Sequence, residues 1–403
     1  MRIVCIGGGP AGLYFAILAK LASSKHDITI LERNPAGVTY GWGVVFWEDL
    51  LEDLFRNDPE SAREIARGAA RWNQQEVHFR GQRAVHIGGN GFSIGRDRLL
   101  DILTWRAMGL GVDVQFQREV EDLSGLSDAD LLVASDGANS TMCRLQGRHL
   151  EPDVEVGRNK YIWLGTDKVF DAFTFAFEET AAGWLWFHGY RFCGEASTCI
   201  VECPRQTWEG LGFDALGPEE TLRRLEDIFQ RQLAGHSLLS QRRDSGKAPW
   251  LNFRRITQKR WHHGNVVLMG DAAHTTHFSI GSGTKLAIQD AIGLARRLRD
   301  GEDLQAALKA YEAERRAALL PLQHAALRSA RWFEDVPRHA AQPTRRFAFS
   351  LFNRRGGTSW YYPLFLATQT GALRGVVRSL HAARKWMRRR RTPLADDAHH
   401  AAH

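Results

Sequence analysis

Apolar positions change their period along the chain, and the changes divide it. "RIVCIGGGPAGLYFAILAKLA" opens as an unbroken apolar run, crosses a glycine turn and continues with helical spacing. "DITILERN" returns to a strand pattern, so the opening predicts strand, tight turn, helix and strand within about 30 residues. Residues 60–70 have helical spacing, "EVHFRGQRAVHIGG" predicts a hairpin around Gly81, and "GRDRLLDILTWRAMGLG" predicts another helix. "VDVQFQREV" and "ADLLVASDG" are expected to be strands. From 160 to 203 the strand patterns "YIWLGTD", "AFTFAFEET", "GWLWFHGYRF" and "STCIVECP" follow one another, as in a separate antiparallel sheet. Residues 217–234 are helical in pattern, and "NVVLMGD" then returns the chain to its first domain. Beyond 284 helical spacing dominates to about 335, with a kink expected at Pro321.

The fold class expected is α/β: a Rossmann-like dinucleotide-binding domain, an inserted antiparallel β-sheet substrate domain, and a C-terminal helical region. The boundaries expected are 1–155 with 250–300 for the first domain and 156–249 for the insertion. Helices are expected over 301–350, and a divergent basic tail over 351–403.

Composition narrows the class. At 403 residues, 44% hydrophobic and 25% charged, the chain exceeds one ordinary hydrophobic core. It has no apolar run of about 18 residues for a membrane span. Its start lacks the basic flank and cleavage site of a signal peptide, so a cytoplasmic location is expected. The net charge of +7 is concentrated, because "RKWMRRRR" at 384–391 carries six of those charges. Arg254, Arg255, Lys259 and Arg260 form a smaller cluster, and nothing resembles a nucleic-acid motif. The apolar aromatics before the polybasic end make peripheral membrane contact by the tail one reading; contact with a phosphorylated or acidic partner is another, and a solvated end a third. Five scattered cysteines lack metal-ligand spacing and read as reduced thiols.

Gly7, Gly9 and Gly12 form G-x-G-x-x-G between the first strand and helix. The first permits the tight turn, the second lets backbone approach a pyrophosphate, and the third lets helix and strand pack closely. The phosphates then face the helix N-terminus, where free N–H groups favour anions. Glu32 closes the second strand, where a carboxylate can bind ribose hydroxyls; Arg33 beside it is assigned to the same site. This fingerprint occurs once, so the resident ligand is NAD or FAD.

"GGGPAG" with Glu32, "IGRDRLL", "ASDGANS" and "LMGDAAH" together resemble the motifs of the single-component FAD-dependent aromatic hydroxylases, the para-hydroxybenzoate hydroxylase superfamily. The resemblance spans 7–290. It implies FAD as cofactor, with Arg96 reaching the pyrophosphate, Asp136 and Gly137 lying near FAD and the nicotinamide, and Asp271 holding the ribityl chain. Gly281 and Gly283 would bring backbone N–H groups to the flavin N1–C2=O edge. "YGWGVVF", "EVHFRG", "GRNKYIW", "STCIVE", "HFSIGSGTKLA" and "RWFEDV" resemble the salicylyl-CoA 5-hydroxylase and 2-aminobenzoyl-CoA monooxygenase group, and the violacein-pathway indole hydroxylase shares similar stretches. That implies NAD(P)H reducing FAD, O₂ adding at flavin C4a, and the hydroperoxide hydroxylating an electron-rich ring, free or linked to CoA or a carrier protein. Where other members resemble one another in a loop proline, "THFSIG" stands here.

The substrate side is left to a few residues. His277 and Phe278 follow Asp271 closely and become candidates for the active site. His188 shares a strand face with Trp184 and Trp186 and is a candidate polar group, though a core histidine is the alternative. His274 reads as structural. Trp42 and Val44 read equally as a substrate entrance or a packed loop. A halogenase is disfavoured, because "WLW" continues with Phe187-His188 and no proline. A non-catalytic flavin carrier is the remaining alternative.

Overall fold

The computed structural model describes residues 1–241, 248–299, 303–357 and 362–369. The opening forms β1 (Arg2–Ile6), helix Pro10–Ala22 and β2 (Asp27–Glu32). Next come β3 (Gly43–Phe46), β4 (Ala70–Trp72), β5 (Gln75–Phe79), β6 (Val85–Gly88) and β7 (Gly91–Gly95), ahead of helix Arg96–Gly109. They are followed by β8 (Asp113–Phe116), β9 (Leu131–Ala134) and the long run β10 (Pro152–Thr166), β11 (Phe173–Thr180), β12 (Gly183–Arg191) and β13 (Ser197–Cys203). After helix Pro218–Ile228 stand β14 (Leu238–Leu239), β15 (Leu251–Gln258), β16 (His262–His263) and β17 (Val266–Leu268).

Three sheets result. The first runs β16-β17-β9-β1-β2-β8 and is parallel apart from β16. Ile3 to Ile6 of β1 are all buried, as in a strand covered on both faces. Helix Pro10–Ala22 covers one face; Pro10 occupies its first position, where the missing N–H has no partner to lose. Helix Gly283–Arg299 packs against it. The second sheet runs β14-β10-β13-β12-β11-β5-β6, with β15 also on β10, and the third is β3-β7-β4.

The sheets do not divide where the sequence patterns suggested. β5 and β6 precede residue 156 yet extend the second sheet, β5 pairing parallel with β11 through Phe175 and Val77. β15 follows residue 249 and pairs with β10 along the same sheet. Hairpin and strand patterns fix which face is apolar but not which edge a strand joins. Pro321 lies inside one helix, Leu304–Glu334, without ending it.

β12 shows how the second sheet is packed. Trp184 and Trp186 face a cluster with Phe175 and Phe177 of β11 and with Trp332, Phe333 and Phe347 from the C-terminal helices. Leu185 and Phe187 alternate to the opposite face, against Leu225, Phe229 and Leu233. The aromatic stripe is therefore largely core. Among the described residues no helix is long and apolar enough to cross a membrane. The tail, for which membrane contact is one reading, lies from 370 onward outside the described residues.

Candidate active site

A cleft of about 530 Å³ lies at the carboxyl ends of β1, β2 and β9. It is lined by Gly7, Gly9, Glu32, Arg33, Arg96, Asp136, Gly137 and Asp271, so eight dispersed sequence candidates meet in one place. Each glycine has its own reason. Gly7 has φ +100°, and a side chain there would collide with the Ser135 backbone. Gly12 lies beneath the turn, where a Cβ would meet Gly7 O and Ser135 Oγ. Gly9 has nothing nearer than Ser135 O at 3.9 Å, leaving space at the uncapped N-terminus of helix Pro10–Ala22.

The polar groups around this cleft are held by protein on one side. Glu32 Oε2 accepts the Gly8 N–H at 2.7 Å, and its Oε1 accepts the Asn34 backbone N–H at 2.8 Å. Arg96 Nε donates to Thr39 Oγ1 at 3.0 Å, and its guanidinium feels both Asp271 and Glu32. Asp136 Oδ2 accepts the Thr141 N–H at 2.7 Å, while its buried Oδ1 has no partner. Burial raises the pKa of Asp136 and of Asp271, both of which line the cleft. Open space at Gly9, an uncapped helix N-terminus, an acid at the end of β2 and an orphaned carboxylate oxygen fit a dinucleotide such as FAD.

The loop after Asp271 is fixed from below. Asp290 Oδ2 accepts the Gly270 N–H at 3.0 Å and lies 2.8 Å from His274 Nε2; its Oδ1 accepts Arg315 Nε at 2.8 Å. All three side chains are buried, so His274 is structural, as expected. Gly281 has φ +63°, and a Cβ there would strike Val45 and Trp47. Its glycine is thus required by packing, and neither Gly281 nor Gly283 lines the cleft. Trp42 and Val44 belong to a packed segment: Trp42 covers Gly165, and Val44 is buried in β3.

On its other side the same loop reaches a second cavity of about 210 Å³. His277 and Phe278 line it, together with Tyr161, Phe253 and Glu202. Glu202, on β13, is 1% exposed. Its Oε1 accepts Asn159 Nδ2 at 2.8 Å, and its Oε2 accepts Trp186 Nε1 at 3.0 Å. Burial acts to raise its pKa, but His188, His277 and Asn159 outweigh burial and hold the carboxyl below the usual range. His188 does not line this cavity. It is buried behind Phe278, with ring centroids 5.6 Å apart, and its Nε2 lies 3.5 Å from Glu202 Oε2 without a formed hydrogen bond. Burial lowers the pKa of both histidines, that of His277 to about 4, so each is neutral near pH 7.

Sequence reasoning passed over Glu202. The signal was an acid inside the apolar strand "STCIVEC", where an unpaired carboxylate is costly to bury. Register then places it: Glu202 faces Trp186 across the β12–β13 pair, two residues from the His188–Ile200 pair. The Arg254–Arg260 cluster is not one patch. Arg254 donates to Asn139 at 2.8 Å, Arg255 pairs with Glu155 at the second cavity, and Lys259 and Arg260 pair with Glu151. Alternation along β15 sends neighbouring arginines to opposite faces.

The model of an FAD binding domain matches residues 1–322. The chain is 37% identical to a salicyloyl-CoA 5-hydroxylase from a Streptomyces species, over 88% of this chain and 70% of that protein. It is 34% identical to the 3-hydroxy-4-methyl-anthranilyl-[aryl-carrier protein] 5-monooxygenase of Streptosporangium sibiricum, over 89% and 96%. Identity to the protodeoxyviolaceinate monooxygenase of Chromobacterium violaceum is 32%, over 88% and 95%. A crystal structure of 2-methyl-3-hydroxypyridine-5-carboxylic acid oxygenase superposes with a TM-score of 0.67 at 19% identity, over 89% of this chain and 99% of that one, which speaks for the fold. FAD is the cofactor and NAD(P)H its transient reductant, as the family uses them. The chain belongs to the FAD-binding-domain family and is an FAD-dependent aromatic monooxygenase.

Proposed function

We propose that this monooxygenase hydroxylates an aromatic ring bearing a hydroxyl or amino group beside an aroyl thioester, carried on CoA. The observation that carries the reading is one cavity holding groups of opposite hydrogen-bonding character, the Glu202 carboxylate and the His277 ring. A ring O–H or N–H suits the first, and a neighbouring carbonyl oxygen suits the second.

Bound FAD supplies the chemistry of O₂ activation and oxygen transfer. The protein's share is to activate and place the ring. Glu202, anionic and already fixed by Asn159 and Trp186, accepts the ring's O–H or N–H and pushes electron density into it. Tyr161, Phe253 and Phe278 supply apolar faces; Tyr161 and Phe278 lie 4.9 Å apart. Asp271 and His277, six residues apart on one braced loop, tie the cofactor cleft to this cavity.

Arg158, Arg255 and Arg331 also line the cavity. Arg158 and Arg331 are exposed, so the cavity opens beside cations suited to a phosphorylated carrier. Arg158 pairs with Glu334 and Arg255 with Glu155, whereas Arg331 has no salt bridge among the described residues. The relatives named for salicyloyl-CoA and an aryl-carrier protein support a thioester-linked substrate.

The test measures NAD(P)H oxidation and product mass with matched substrates: 2-hydroxy- and 2-aminobenzoyl-CoA, their free acids, carrier-protein thioesters and indoles. Gain of one oxygen on the CoA thioesters is expected. Turnover restricted to free acids, indoles or carrier-bound rings would replace the proposal.

A further inference from the structure

Arg354 lies beyond the region matched by the FAD-binding model, in the stretch "FNRRGG". It is only 8% exposed and makes no salt bridge among the described residues. Its Nη1 donates to Leu351 O at 2.8 Å and its Nη2 to Ser279 O at 3.0 Å, so the guanidinium is anchored on both sides. Its Nε donates to Ser329 Oγ at 3.0 Å. Ser329 Oγ lies 2.7 Å from Ser279 Oγ, which lies 2.8 Å from His277 Nδ1. The chain of bonds thus runs from a buried cation to the ring at the cavity wall.

Its direction follows from the two ends. A guanidinium N–H can only donate, so Ser329 Oγ accepts from Arg354. The Ser279 backbone N–H can also only donate, and it points at His277 Nδ1 from 3.3 Å. Nδ1 is therefore the acceptor end. Ser329 then donates to Ser279, and Ser279 to Nδ1, leaving every hydroxyl proton with a partner. In the reverse order Ser329 would receive two donors, and its own proton would have no partner along the chain. Ser329 is fully buried, which makes that loss costly. Burial keeps the ring neutral: it outweighs Glu202 and Glu334, which favour a protonated His277, while His188 and Arg354 act with burial.

We infer that Arg354 is a positioning residue: through Ser329 and Ser279 it holds His277 as the Nε2–H tautomer, a fixed hydrogen-bond donor toward the substrate cavity. The carbonyl that would receive this N–H rests on the thioester reading above; the tautomer itself does not.

The experiment uses the full-length, FAD-loaded protein with ¹⁵N-labelled histidine, and His277→Gln to assign the signal. The unsubstituted protein should show unprotonated Nδ1 and protonated Nε2 at neutral pH. Ser329→Ala and Arg354→Lys should give a mixture of tautomers, while the flavin spectrum and melting temperature show that each variant is folded. With an aryl-CoA, Ser329→Ala should raise KM about five- to tenfold, the loss of one neutral hydrogen bond, with little change in the rate of flavin reduction. A proton on Nδ1 in the unsubstituted protein, or an unchanged tautomer in both variants, overturns the inference. The expected tautomer in a protein that ignores aryl-CoA would instead sink the substrate reading and leave the inference standing.

Discussion

Asn159 Nδ2 donates to Glu202 Oε1 over 2.8 Å, and this bond joins β10 to β13 at the wall of the second cavity. With Trp186 donating to the other oxygen, the carboxylate is oriented before any substrate arrives. Glu202→Gln should therefore reduce kcat/KM for hydroxylation by about 10² to 10⁴, the range of a lost general base or activating acceptor. FAD binding should be unchanged, and hydrogen peroxide should appear in place of product. Assays of peroxide and oxygenated product from the same reaction check this.

Gly9 and Gly12 should separate binding from folding. Gly9→Ala meets open space, so it should keep the melting temperature and weaken FAD binding. Gly12→Ala would drive a methyl group into Gly7 O and Ser135 Oγ, destabilising the fold by about 1 to 3 kcal/mol. Thermal unfolding without FAD and titration with FAD distinguish the two outcomes.

His277 predicts a pH dependence of stability. Its pKa in the folded protein, about 4, lies below the ordinary 6.5. Between those values the unfolded chain binds a proton that the native ring refuses, so stability falls as pH falls. At pH 4 and below the full loss is roughly 3 kcal/mol from this group. Glu202 adds a loss in the same direction at lower pH, because its depressed pKa stabilises the fold only while it stays ionised. Denaturant unfolding at pH 7 and pH 4 should show a smaller difference in His277→Gln.

Asp290 braces the loop that carries Asp271. Asp290→Ala would leave Arg315 buried without its carboxylate and Gly270 N–H without its acceptor, costing about 3 to 5 kcal/mol. Denaturant unfolding measures the cost, and weaker FAD retention should accompany it.

The first cleft was legible where its groups follow local pattern: Gly7 to Gly12 and Glu32 lie within one βαβ unit, and Arg96, Asp136 and Asp271 follow the ends or starts of regular elements, whereas Gly281 and Gly283, expected there by resemblance, lie outside it. The second cavity was only partly so. His277 and Phe278 could be placed from their spacing to Asp271. Glu202 could not, because its environment is made by the register of β10, β12 and β13, three separate stretches of chain. Arg354 was further still from view: a basic pair near a divergent end reads as surface, until Phe175 and Phe333 are found stacked against the guanidinium, at 5.2 and 5.6 Å. The aromatic strand "WLWFHGYRF" left two readings open for His188, and its tryptophans prove to be buried in the core against the C-terminal helices.

The most direct test is turnover of 2-hydroxybenzoyl-CoA by the FAD-loaded protein under ¹⁸O₂, followed by mass spectrometry of the ring product. One ¹⁸O on the ring, lost in Glu202→Gln, is the result predicted. An unlabelled or unchanged ring, with the label entering only a free acid or an indole, would contradict it.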